Sequence, residues 1–166
     1  MYKRVLCAAA LLAGLLVIGG GALAAADRGD DRRRDRPRVL HLVERVAGAP
    51  TFDDGGAPGP SVGDRIIFSA DIFDARDRKV GRDGADCVVV RTDPSQPDPV
   101  EQQIVQCMVT VELADGQITF QGLAQGTEND FAVTGGTGAY RRARGEAHVD
   151  DRVFLQSSDV TITLTG

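Results

Sequence analysis

An all-β domain of eight antiparallel strands, folded as a sandwich or closed as a barrel, is the fold class this sequence predicts. Three observations predict it. From Arg38 onward the apolar residues seldom follow a helical period. They come instead in short runs rich in Val, Ile, Thr and Phe, punctuated by Gly, Pro and Asp. Eight such runs can be counted, and the turns between them are short enough for antiparallel neighbours.

In chain order the runs are 38–47, 64–75, 84–93, 102–114, 116–125, 129–135, 142–151 and 153–165. The one long gap, GAPTFDDGGAPGPSVG (48–63), is rich in Gly and Pro and reads as loop. Two hairpins can be registered by arithmetic. Ala114-Asp115-Gly116-Gln117 is a two-residue hairpin signal with Asp115 and Gly116 at the positive-φ positions. It pairs Leu113 with Ile118, Val111 with Phe120 and Val109 with Gly122. Cross-strand partners share a face. One face then carries Cys107, Val109, Val111, Leu113, Ile118 and Phe120, and the other Met108, Thr110, Glu112, Gln117, Thr119 and Gln121. The first is dry and the second largely wet, as for a sheet wrapped around a core.

The second hairpin spans DPSQPDPV. Centred on Pro97, it sets Asp93 opposite Glu101 and Cys87 opposite Cys107, with both sulfurs on the apolar face. Opposed Cβ atoms on adjacent strands lie near bridging distance. A disulfide there would close a loop of about 20 residues and stabilise by ~3 kcal/mol through chain entropy. A pair of free thiols is the alternative reading.

Ahead of the domain, residues 1–26 have a basic start at Lys3 and Arg4 and an apolar run from Val5 to Ile18. They end in small residues that twice fit an A-x-A pattern, Ala22-Leu23-Ala24 and Ala24-Ala25-Ala26. This is the pattern of a cleaved secretory signal. An uncleaved anchor is the other reading, since Val5 to Ala26 could just cross a bilayer. Cys7 lies too early for lipid attachment. Export places the domain, residues 38–166, outside the cytoplasm, with no stable membrane insertion after cleavage. An even cysteine count in the mature chain suits an oxidising compartment. The segment 27–37, DRGDDRRRDRP, is charge-dense and free of large apolar groups, and reads as a disordered linker. Its Arg28-Gly29-Asp30 spells an adhesion tripeptide, which so polar a setting supplies by chance.

Cleavage would take Lys3 and Arg4 away and leave 17 basic against 24 acidic side chains, a net charge of −7. That balance argues against nucleic acid as a partner.

The stretch FAVTGGTGAYRRARGEA (131–147) sets three glycines between an apolar run and a run of arginines. A P-loop would need a lysine that Gly135-Gly136-Thr137-Gly138 lacks. A dinucleotide fingerprint would need a following helix within a βαβ unit, whereas Gly145 and further strands follow here. The glycines read as a tight turn between strands.

FAVTGGTGAYRRARGEA resembles the signature shared by allene oxide cyclases and dirigent proteins. So do VGDRIIFSADIFDARDRKVG (62–81), DCVVVR (86–91) and DGQITFQG (115–122), and the order is consistent from about Val39 to Leu164. The resemblance implies a closed eight-stranded antiparallel barrel around an apolar cavity, with room for assembly as a homodimer or homotrimer. It implies a small hydrophobic or aromatic ligand, whose cyclisation or coupling the barrel steers, and no cofactor.

Carried over residue by residue, the cyclase pocket is largely missing. Its first-strand glutamate and asparagine fall at His41 and Val43, a second-strand asparagine at Ala70 and a tyrosine near Ala124; the pocket cysteine matches Cys87. Any isomerase-like activity is therefore not that of a true allene oxide cyclase. The dirigent pattern places an aspartate at Asp71 and an A-R-G at Ala143-Arg144-Gly145, although its acid near the turn motif is replaced by Gly138 or Ala139. Asp71 and Arg144 are the catalytic candidates, since a buried acid and base could act on a phenolic or quinone-like ligand. The ligand-facing candidates are His41, Phe68, Val89, Val111, Phe120 and Tyr140. Each also has a structural reading: Asp71 in an ion pair, His41 as a satisfied histidine, Tyr140 as a cap on the barrel. Glu44, three residues beyond His41, points to the opposite face of a regular strand.

Other chemistries lack their residues. No G-x-S-x-G elbow is present. The two histidines keep no zinc-binding company. The run Asp71, Asp74, Asp77 is interrupted by Arg76, Arg78 and Lys79 where a calcium loop needs oxygens, so no metal is expected. The functional expectation is an exported barrel that binds a small apolar molecule and steers its reaction. The rival expectation is an exported barrel that binds a ligand or a partner protein without turnover.

Overall fold

The computed structural model describes residues 37–56 and 58–165. The expected leader and all but the last residue of the linker lie outside these. Nine strands and one short 3-10 turn follow in order: β1 (Arg38–Val46), β2 (Thr51–Asp53), β3 (Arg65–Asp74), β4 (Lys79–Thr92), β5 (Gln103–Leu113), β6 (Gly116–Ala124), β7 (Glu128–Gly136), the turn Gly138–Tyr140, β8 (Gly145–Val153) and β9 (Ser157–Leu164). All pairings are antiparallel, in the order β1-β9-β8-β7-β6-β5-β4-β3, and β1 pairs again with β3 through Leu42–Val46 against Ala70–Asp74. Eight strands thus close into a barrel, as the sequence resemblance implies, and closure removes the exposed edges of an open sheet.

The alternation of side chains is what makes one sheet serve as both wall and core. On β9, Ser158, Val160, Ile162 and Leu164 are buried while the residues between them are not. On β5, Cys107, Val109 and Val111 point inward and Met108 outward, as expected. Phe120, Ile72, Ile118, Ile162, Val89, Val111 and Val160 are the largest fully buried side chains. Each contributes about 1.5–3 kcal/mol by leaving water.

Four expectations about elements are corrected. The 48–63 gap is not wholly loop: β2 pairs Thr51–Asp53 with Ile67–Arg65. Because β1 covers β3 only at Ala70–Asp74, the other half of that edge is open, and β2 fills it. Strand β4 starts at Lys79 rather than 84, because Lys79 to Asp83 continue the ladder to β3. The last two strands are also displaced: β8 starts at Gly145 and reaches Val153 where a strand over 142–151 was expected, and β9 starts at Ser157 rather than 153. Residues 138–144 make a longer crossing than a tight turn, and the β8–β9 turn occupies 154–156.

The β5–β6 hairpin is also shifted. Its turn sits on Ala114 and Asp115, and the pairs are Leu113–Gly116, Val111–Ile118 and Val109–Phe120. The displacement of two residues preserves every face. Gly116, at φ 137°, lies against the β7–β8 connection, where a Cβ would run into the Thr137 carbonyl oxygen. Gly138, at φ 57°, faces it, and a Cβ there would meet the Asp115 carbonyl oxygen. Two connections pack back to back through two glycines, which is why the turn moved and why the Gly-rich stretch is needed.

Candidate functional site

The barrel is filled at one end and hollow at the other. At the filled end, Tyr140 from the 3-10 turn is buried, with its hydroxyl accepting from Arg38 Nη2 at 3.3 Å and the Arg38 guanidinium 5.1 Å above its ring. Ile118, Val111, Val133, Ala143 and Leu164 are buried at the same end. Tyr140 is thus part of a floor, the capping role rather than a ligand contact.

The hollow end holds a cavity of about 110 Å³, counted as space open to the centre of a water-sized molecule. A water centre needs about 10–15 Å³, so the space suits on the order of eight waters, or one small polycyclic guest. Phe68, Val105, Val109, Phe120, Phe131 and Val149 make apolar walls. Phe120 and Phe131 stand 5.7 Å apart, tilted at 44°. The mouth is edged by Val100 of the β4–β5 loop, Gln125 and Gly126 of the β6–β7 turn, and Phe154 and Leu155 of the β8–β9 turn. Gln125 ties two of these loops together, donating through Nε2 to the Glu101 carbonyl at 2.8 Å.

Cys87 and Cys107 are bonded across β4 and β5, directly opposed, and both line the cavity. The pairing expected from the hairpin centre is therefore realised. A one-residue irregularity between Val89 and Arg91 lies beyond it and shifts the loop, not the cysteines.

The polar end of the cavity is acidic. Glu44 on β1 and Asp151 on β8 line it, and Ser158 on β9 pairs in register with both. The Ser158 hydroxyl donates to Asp151 Oδ1 at 2.6 Å. Behind Glu44 stands Asp83 of β4, only 6% exposed, with neither carboxylate oxygen meeting a donor in hydrogen-bonding geometry. Glu44 is 7% exposed. Burial, and then the Asp83 charge, push its carboxyl up to about 9. Burial likewise raises Asp83, to about 6, while the neighbouring Glu44 carboxyl and the nearby Ala70 amide hold it back. Burial raises Asp151 as well. Two facing carboxyls, both pushed up by burial, hold together by sharing one proton between them. Such a pair can donate a hydrogen bond into the cavity, take up a proton, or stand as a buried negative charge.

The residues selected from sequence scatter. Phe68 and Phe120 line the cavity. Val89 and Val111 are fully buried in the wall but outside its lining. His41 faces outward, 3.3 Å from Thr161 Oγ1, because Leu42 and Glu44 take the inward positions of β1. The polar pair of Asp71 and Arg144 is not in the lumen. Asp71, between inward Ala70 and Ile72, points out and is paired with Lys79 at 2.7 Å. Arg144 is exposed and donates to the carbonyls of Thr134 and Ala143. Motif position gave these two their place, and strand alternation overrides it. The same alternation carries the signal that was missed. Glu44 follows Leu40 and Leu42, Asp83 precedes Ala85 and Cys87, and Asp151 follows Ala147 and Val149, each an acid on a dry face.

Similar proteins agree with this architecture. A pyocyanin demethylase structure superposes with a TM-score of 0.67 at 27% identity, covering 77% of this chain and all of that one. An exo-specific intermolecular Diels-Alderase superposes at 0.64 with 16% identity over 79% of this chain and 98% of the other. A pterocarpan synthase dirigent protein gives 0.54 at 16% identity, over 78% and 85%. At these lower identities the likeness shows the fold alone. A comparison with curated proteins found no match. Residues 46–164 match the family described as allene oxide cyclase barrel like domain, and the chain belongs to that family.

Proposed function

We propose that the protein is an exported barrel whose hollow end binds a small hydrophobic or aromatic molecule and steers its cyclisation or coupling. One observation carries the reading: an apolar, disulfide-walled cavity ends on the buried Glu44–Asp83 carboxyl pair, and among the described residues neither Asp83 oxygen meets a donor in hydrogen-bonding geometry. Apolar pockets with a few convergent polar groups of displaced pKa are the common form of small-molecule sites. Holding one reactive conformer against the rings of Phe68 and Phe120 would itself accelerate an intramolecular closure. Glu44 would act at the reacting end as hydrogen-bond donor or acid. The barrels named above as a demethylase, a Diels-Alderase and a pterocarpan synthase are similar scaffolds for small-molecule chemistry, which supports the reading. The secretory pattern of residues 1–26 and the disulfide support action outside the cytoplasm.

Binding without turnover is the second reading. The outward placement of Asp71 and Arg144 favours it, because it removes the acid–base pair that the dirigent likeness offered. Incubation of the mature protein with a metabolite extract, mass spectrometry of what it retains, and turnover assays with each retained compound decide between them. The steering reading expects a retained aromatic compound that is converted. Retention without conversion supports the second reading. Recovery of a protein and no small molecule also supports the second, and retention of nothing overturns both.

A further inference from the structure

The cavity has a sign. Among the described residues its ionisable lining groups are Glu44 and Asp151, with Asp83 behind them, and no lysine, arginine or histidine of these lines it. We propose that the guest is a planar aromatic cation, or a heteroaromatic base that becomes one on binding, with Glu44 as its counter-ion. This rests on the reading that the hollow end binds a small molecule, and adds its charge class.

The groups facing Glu44 come from every neighbouring strand. β4 brings Asp83, β8 brings Asp151, β9 brings Ser158, and β3 brings apolar Ile72 and Ala70, with Asp71 on the outer side of the same strand. An anionic guest would add like charge to three buried carboxyls. A neutral hydrocarbon would fill the walls and leave the buried charge of the Glu44–Asp83 pair without a counter-charge, a costly arrangement in a dry site. A cation replaces the shared proton. It sets a positive charge beside Glu44, which gives up its proton to solvent, and the pair becomes two carboxylates facing one cation. The walls suit the same guest, since Phe120 and Phe131 line the cavity and aromatic rings attract a delocalised positive charge.

Three isosteric probes test this: N-methylquinolinium, 1-methylnaphthalene and 1-naphthoate, titrated calorimetrically into the mature protein at pH 7. The cation is expected to bind at least ~10-fold more tightly than the hydrocarbon, and the anion most weakly. Repeating the titration in buffers of different ionisation enthalpy should show protons released by the cation alone. Glu44→Gln should erase the preference and keep hydrocarbon binding; Asp83→Asn serves the same purpose should the first variant fail to fold. Equal affinity for all three probes, or a preference that survives both substitutions, overturns the charge assignment while the binding site stands. Binding of none of the three overturns the binding site itself and the assignment with it.

Discussion

Replacing Glu44 by glutamine should change how the stability of this barrel depends on pH. In the unfolded chain Glu44 titrates near its ordinary value of 4.5, whereas in the barrel burial and the Asp83 charge hold it up to about 9. Between these limits the folded state binds more protons than the unfolded one, so stability falls as pH rises. The slope from this one group approaches about 1.4 kcal/mol per pH unit. From its unfolded titration to pH 7 the loss amounts to about 3 kcal/mol. Asp83, raised to about 6, steepens the decline further below pH 6. Glutamine has nearly the same shape, carries no titrating proton, and offers an amide donor to the Asp83 carboxylate. The variant should therefore match the native protein near pH 4.5 and exceed it by about 3 kcal/mol at pH 7.

Urea unfolding at pH 5, 6, 7 and 8, with the disulfide intact, reads this directly as a shift of midpoint at constant slope. The two curves of stability against pH should diverge steadily from acid to neutral. Parallel curves would mean that Glu44 ionises in the barrel as it does in water, and the shared-proton description of the acidic end would be wrong. A variant less stable than the native protein at pH 8 would be as damaging, since it would show that the Glu44 charge is stabilising there.

Three further outcomes follow from the same geometry. Reduction of Cys87–Cys107, or its replacement by two alanines, should cost ~3 kcal/mol for a loop of 20 residues, read as a lower urea midpoint with an otherwise intact near-ultraviolet spectrum. Gly138→Ala should cost at least ~1–3 kcal/mol, because φ 57° and the Asp115 carbonyl oxygen both oppose a side chain; a melting temperature unchanged from the native protein would contradict the back-to-back packing of the two connections. Asp71→Ala and Arg144→Ala, each on the outer surface, should alter stability by less than ~1 kcal/mol and leave probe affinity for the cavity unchanged; a large loss of affinity in either would return that residue to the site.

What the sequence makes legible is governed by parity. The β-branched runs mark eight walls, and the opposition of Cys87 to Cys107 follows from a single hairpin centre because an antiparallel pair has one degree of freedom, its register. The β5–β6 register lies two residues from the one the hairpin signal predicts, and the hydrophobic pattern does not distinguish them: a shift of two keeps Val109, Val111, Ile118 and Phe120 on the dry face. Contacts with the distant β7–β8 connection separate the two alternatives, among them Gly116 against the Thr137 carbonyl and the Ala139 amide donating to the Asp115 carbonyl at 2.8 Å, and these are tertiary. β2 was hidden for a related reason, since its three residues are exposed and pair only because β1 leaves part of β3 open. The site residues fail in the other direction. Alternation within β3 already puts Asp71 outside, beside inward Ala70 and Ile72, but the family signature pulled it inward. The acids that do face the lumen interrupt no motif, so only the breach of a dry face by Glu44, Asp83 and Asp151 announces them.

The position of the cavity follows from side-chain volume. An eight-stranded barrel has an interior that its own side chains can just fill, so space for a guest must be vacated by small residues. At the floor, Tyr140, Ile118, Val111 and Val133 fill it. Toward the mouth the inward positions of three consecutive strands hold Ala85 and Cys87 on β4, Cys107 on β5 and Ala124 on β6, and the hollow lies against them. The disulfide ties the two strands that carry the smallest of these side chains. Across the lumen from this small-residue wall stand β8, β9 and β1, with Asp151, Ser158 and Glu44 in one cross-strand row. On the proposed function, a guest entering at the mouth would meet space on one side and charge on the other, and the lumen would set its orientation. The Gly-rich stretch serves this arrangement from the far end, by closing the floor through Gly138 and Tyr140.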